Sequence, residues 1–203
     1  MVRLIDLGLE RLHSALNQMF ELSSKVMDVL VERGPDAVNE IESISTKLRE
    51  LKEEVHDIAI EIIVRYQPLA SDLRDLKSAL EISYGLYRIS RYVLDTARVF
   101  ADSGLNYGQC FKEPVKDVTM KVREMLSLTF KAFKERDAIA ASKVIGMDEE
   151  IDAAFRQFFA KAIKCADPCD AADLMVMKYL ERLADHCVYI AEDLLFALGK
   201  TRK

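Results

Sequence analysis

Apolar residues recur every three or four positions along nearly the whole chain, the period of helices with one buried face. In LERLADHCVYIAED, Leu180 to Asp193, the residues Leu180, Leu183, Ala184, Cys187 and Ala191 gather on one face with Leu194, and Glu181, Asp185 and Glu192 fall on a strip beside it. Gly and Pro interrupt the pattern at a few places only. A first helix from about Val2 to Arg33 stops at Gly34-Pro35, and a second from about Asp36 stops at Gln67-Pro68. A third begins near Leu69 and closes at Gly104 to Gly108. A fourth spans Glu113 to Glu135 and a fifth Ala138 to Cys165; Asp167-Pro168 opens a sixth that reaches Leu198, before Gly199.

Six long amphipathic helices in two runs of three predict an all-α fold of two tandem antiparallel three-helix bundles. The halves, residues 1–104 and 105–203, share a faint repeat. LYRISRYVLDTAR (Leu86 to Arg98) lies over LERLADHCVYIAE, and KLRELKEEVHDIAIEII over EEIDAAFRQFFAKAIKC. Two copies imply a pseudo-two-fold pair rather than a solenoid. Composition agrees: 7 Gly and 4 Pro in 203 residues, with half the chain apolar, suit helix and leave little for turns.

Charge narrows the function. With 29 basic and 34 acidic residues spread along both halves, no basic field marks a nucleic-acid surface. The N-terminal stretch interrupts its apolar residues with charge, unlike a signal peptide, and no run reaches the roughly 20 apolar residues of a spanning helix, so a cytoplasmic protein is expected, meeting membrane only through a partner. Cys110, Cys165, Cys169 and Cys187 follow no zinc spacing and are expected to be free, mostly buried thiols. No Gly-rich loop opens a helix to hold phosphate, and His13, His56 and His186 fall on separate helices, so catalysis is not expected.

The acids of the second half carry the candidate chemistry. Glu181 and Asp185 are like charges at i,i+4, which costs an isolated helix roughly 0.2–0.5 kcal/mol. In GMDEEIDAAFRQFF, Asp148 and Asp152 lie within about 60° of Phe155 and Phe159 on the helical wheel, so phenylalanines that face the bundle turn the aspartates the same way. Four carboxylates between helices are an arrangement that holds metal; oxygen donors suit iron, Mg, Mn or Ca better than zinc. The alternative is structural: Glu181 and Asp185 are solvated or pair with Lys178 and Arg182, and Asp148, Glu149 and Glu150 favour a nearby helix start. His186 projects some 100° from Asp185 on the wheel and reads as a surface group or an outer neighbour of the site. A di-metal carboxylate enzyme normally needs Glu-x-x-His pairs on two helices, and no such pair is expected here.

Two segments give the chain a resemblance. YQPLASDLRDLKSALEISYGLYRISRYVLDTARVF (Tyr66 to Phe100) resembles a first-repeat signature, and LERLADHCVYIAED a second-repeat one, of the PhoU family of phosphate-uptake regulators. The resemblance implies side-by-side three-helix bundles, Glu-x-x-x-Asp pairs that bind iron or other metals, and self-association as a homodimer. It implies as partners the ATPase subunit of a phosphate transporter and a phosphate-sensing histidine kinase. The matching residues here are Asp148, Asp152, Glu181 and Asp185; in the first repeat Ser45, Arg49, Tyr87 and Arg91 stand where acids are usual. Asp72 and Arg74 in ASDLR read as a helix-start acid and an ion-pair partner, or as a docking surface. Regulation of another transporter, for example of potassium, is the alternative that the resemblance leaves.

Overall fold

Local chemistry ends each helix. The computed structural model of the chain describes residues 4–200, so the expected start at Val2 lies outside the described residues. It contains α1 (Leu4–Arg33), a 3-10 turn (Gly34–Ala37), α2 (Val38–Tyr66), α3 (Ser71–Ser103), a single turn α4 (Tyr107–Cys110), α5 (Glu113–Glu135), α6 (Ala138–Ala162) and α7 (Pro168–Ala197). α2 ends in left-handed Gln67, whose N–H returns to the Ile63 carbonyl at 3.2 Å. Gly104 closes α3 at φ 69°, a conformation that costs glycine nothing. Asp137 caps α6 by accepting the N–H groups of Ile139 and Ala140, and Asp167 caps α7 by accepting that of Cys169, with Pro168 in the first position.

Two boundaries differ from the sequence reading. α6 stops at Ala162, so Cys165 sits in the α6–α7 connection. The break after α3 contains α4, which Asn106 nucleates by accepting the Gln109 N–H at 3.2 Å.

Within each half the helices run antiparallel. Arg11 meets Glu61 across α1 and α2, Glu42 meets Arg98 across α2 and α3, and Lys121 meets Glu150 across α5 and α6. The two three-helix bundles then join along α3 and α7, also antiparallel: Ser78 donates to the Asp193 carbonyl at 2.8 Å, while Tyr92, further along α3, stacks on Tyr179. Gly85 makes this approach possible, because a Cβ there would lie 2.9 Å from Ile190 Cγ1. On the other side Phe20 of α1 stacks on Phe130 and Phe133 of α5 at 5.2 and 4.7 Å. The buried apolar residues therefore form one core that runs through both bundles.

The cysteines depart from expectation. Cys110 and Cys169 form a disulfide, 59 residues apart, that ties α4 to the first turn of α7; Cys187 is free and buried, and Cys165 free and exposed. The pairing is non-local: the Asp167-Pro168 start places Cys169 at the end of α7 that packs against α4, which no spacing in the sequence reveals.

Candidate functional site

The four second-half acids lie where α6 and α7 face one another. Asp148 and Asp152 occupy the middle of α6, and Glu181 and Asp185 the middle of α7. Phe155 packs partly buried against the core, whereas Phe159 is exposed, so α6 turns only the first of the two phenylalanines fully inward. Of the four carboxylates, Asp148 has an oxygen, Oδ1, that is buried without a hydrogen-bond partner. Burial, then the negative charges of Asp152, Asp185 and Glu181, push its carboxyl up to about 6. Asp185 is raised in the same way, by burial first and Glu181 next. The acids therefore feel one another across the helix pair.

Cations already answer most of that charge. Lys178 Nζ donates to Glu181 Oε2 at 2.7 Å, Arg182 Nη1 to Asp185 Oδ2 at 3.0 Å, and Arg156 Nη1 to Asp152 Oδ2 at 3.3 Å. Glu149 is exposed and lies 3.5 Å from Arg156 Nη2. Among the described residues no three His, Cys, Asp or Glu side chains converge closely enough to hold a metal ion. The donor set nevertheless fits a hard cation in kind: four carboxylates, one of them with a buried oxygen that lacks a partner.

His186 belongs to a different neighbourhood. Its ring contacts Tyr84, Tyr92 and Tyr189 at centroid distances of 6.1, 5.7 and 5.6 Å. Burial, with Arg88 and Arg182 adding to it, lowers its pKa to about 4, so the ring is neutral at pH 7. The sequence reading passed over this aromatic group. The tyrosines recur at helical spacing on α3 and α7, but only the antiparallel pairing of those helices brings them together.

The first half is built differently at the matching positions. Ser90 Oγ donates to Ser45 Oγ at 3.0 Å, Arg91 pairs with Asp95 at 3.6 Å, and Lys52 lies 5.7 Å above the Tyr87 ring, while Arg49 is exposed. Hydroxyls and cations fill the place of acids. Asp72 stands in the first turn of α3, and Arg74 is half-buried with its Nε lacking a hydrogen-bond partner. The spacing Glu-x-x-His does occur at Glu10 to His13 and Glu53 to His56, on α1 and α2. Glu10 and Glu53 are exposed and His13 packs edge-on against Phe133, so these residues form no metal cluster either.

The comparisons with known proteins agree with this architecture. A phosphate-specific transport system accessory protein PhoU homolog from Clostridium acetobutylicum is 23% identical over 97% of this chain and 94% of its own length. A homolog of the same name from Caulobacter vibrioides is 30% identical over 75% of this chain and 69% of its own length. The crystal structure of PhoU from Pseudomonas aeruginosa superposes with a TM-score of 0.82 at 24% identity, covering 97% of this chain and 99% of that one. The phosphate transport system regulatory protein PhoU from Streptococcus pneumoniae gives 0.83 at 18% identity, over 98% and 99%. The PhoU domain model matches residues 9–100 and 115–194, once in each bundle, and the chain belongs to the PhoU family.

Proposed function

We propose that this protein restrains phosphate uptake as a non-catalytic regulator that binds the ATPase subunit of a phosphate transporter, with Asp148, Asp152, Glu181 and Asp185 holding a metal ion, iron by preference. The observation that carries the reading is the match of the PhoU domain model in both bundles, together with relatives named as accessory proteins of phosphate-specific transport systems. No helix among the described residues is long and apolar enough to cross a membrane, so contact with the transporter falls to surface residues of the bundles.

The acids support the metal proposal through their cost. Burial, with the charges of Asp152, Asp185 and Glu181 adding to it, raises Asp148 to about 6, and a bound cation would offset both the burial of charge and the mutual repulsion while supplying a charge-sensitive link between α6 and α7. Asp148 would contribute its unpartnered Oδ1, and Asp152, Glu181 and Asp185 would exchange their cationic side-chain partners for the ion. In the first half Arg49 and Arg91 stand against a second ion.

Elemental analysis of protein purified without chelator tests the site. Metal is expected in the native chain and absent after Asp152→Asn with Asp185→Asn, with Tyr87→Phe as an unaffected control; metal retained at equal stoichiometry in the double variant refutes the site. Copurification with the ATPase subunit of the phosphate transporter tests the partner: recovery with native protein is expected, and its failure at micromolar concentrations of both argues for a different target.

A further inference from the structure

α3 and α7 meet along a seam whose outer side gathers four of the chain's seven tyrosines. Tyr84 and Tyr92 come from α3, Tyr179 and Tyr189 from α7, and His186 touches three of them. Tyr92 and Tyr179 stack across the seam at 6.3 Å. Tyr84 and Tyr189 are 47% and 51% exposed, a large aromatic surface to leave in water.

Arg88 stands among these rings. The Arg88 guanidinium carbon lies 4.8 Å above the Tyr92 ring, and Nη2 donates to the Tyr92 hydroxyl at 2.7 Å. Among the described residues Arg88 makes no ion pair, unlike its neighbours Arg91, held by Asp95, and Arg182, held by Asp185. Tyr92 therefore orients the guanidinium without neutralising it, and the planar fork keeps N–H donors for a bidentate acceptor. Tyrosine and arginine are enriched at the centres of protein interfaces; tyrosine buries much area for little lost rotamer freedom, and here Tyr92 already holds the Arg88 guanidinium in place.

We propose that this face docks an acidic segment of a protein partner, whose carboxylate pairs with Arg88 while an adjacent apolar or aromatic side chain lies over His186 between Tyr84 and Tyr189. Charge selects that occupant. Asp95 and Asp185 near the seam are paired with Arg91 and Arg182, which among the described residues leaves Arg88 as the unanswered charge there for a carboxylate, while the chain's net charge of −5 disfavours an extended anionic surface such as a bilayer. This deepens the regulatory reading above and rests on it for the choice of partner: it assigns to the outer side of the α3–α7 seam the contact with the transporter ATPase.

The test is biolayer interferometry of the full chain on the immobilised ATPase subunit of the phosphate transporter. The proteins compared are native chain, Arg88→Glu, the pair Tyr84→Ser with Tyr189→Ser, and Leu69→Ser, a residue 78% exposed in the α2–α3 turn, as a distant control. Both seam variants are expected to raise Kd about tenfold or more, with the control within about twofold of native. Thermal melts establish that each is folded, and the tyrosine pair, being half exposed, carries the test if Arg88→Glu does not fold. Native binding that the seam variants leave within about twofold overturns the face while sparing the regulatory reading. Native protein that does not bind the subunit overturns the face too; altered phosphate uptake on gene deletion then still upholds regulation. Binding to vesicles of anionic phospholipid that Arg88→Glu abolishes assigns the seam to a membrane and likewise overturns the proposal.

Discussion

Asp173 shows how much one buried acid decides. It is fully buried in α7, accepts the Lys112 backbone N–H through Oδ2 at 3.2 Å, and leaves Oδ1 without a partner. Burial pushes its carboxyl up to about 6, against the opposing pull of that hydrogen bond and of the Lys112 charge. The folded state thus holds this proton more tightly than the unfolded chain, whose carboxyl titrates near its ordinary value of 3.8. Its contribution to stability is complete below that value and is lost as pH rises through about 6. Asp173→Asn keeps an oxygen to accept the N–H and removes the titration. Melts between pH 4 and 7.5, with the disulfide intact, are expected to show a shallower decline for the variant across that window; parallel curves would show that Asp173 does not carry the proton. Asp148 with Asp152, and Glu181 with Asp185, were legible as pairs because each spacing is local to one helix; that the two pairs face one another was implied by the resemblance and not by spacing. Their ion pairs with Arg156 and Lys178 depend on rotamers and neighbours, and only Arg182 and Lys178 were evident from sequence as competing partners.

At the scale of elements, the breaks were readable and the contacts were not. Gly104 and Pro68 end helices through backbone chemistry, and Asp137 and Asp167 start them through side-chain caps, all of it local, so a single sequence shows them. Which helix packs on which depends on residues far apart in the chain. Gly85 looks like an ordinary weak point in a helical pattern, yet its lack of a Cβ sets the distance between α3 and α7. Gly85→Leu is expected to destabilise the protein by about 1–3 kcal/mol, as overpacking does in a core, measurable as a lower urea midpoint; an unchanged midpoint would show that the seam yields freely. The Cys110–Cys169 disulfide is non-local in the same sense. It closes 59 residues and restrains the unfolded chain, so Cys110→Ser or a dithiol reductant is expected to cost about 2–4 kcal/mol. Equal melting of oxidised and reduced protein would contradict a stabilising bridge.

The whole molecule consists of two bundles that share a fold but not a surface chemistry. The first fills the matching positions with a Ser45–Ser90 hydrogen bond and an Arg91–Asp95 ion pair; the second keeps four acids, three of them answered by cationic side chains. Both present helices to one seam, where Tyr84, Tyr92 and Tyr189 contact His186, Tyr179 stacks on Tyr92, and Arg88 has no carboxylate partner among the described residues. The same three-helix arrangement thus occurs twice, with an acid cluster in the second copy only and an aromatic seam that both copies build. The measurement that tests the regulatory role most directly is uptake of radiolabelled phosphate by cells grown with ample phosphate, with and without the gene. Loss of the gene is predicted to raise uptake, and its return to restore the lower rate; unchanged phosphate uptake beside an altered potassium flux would contradict the account.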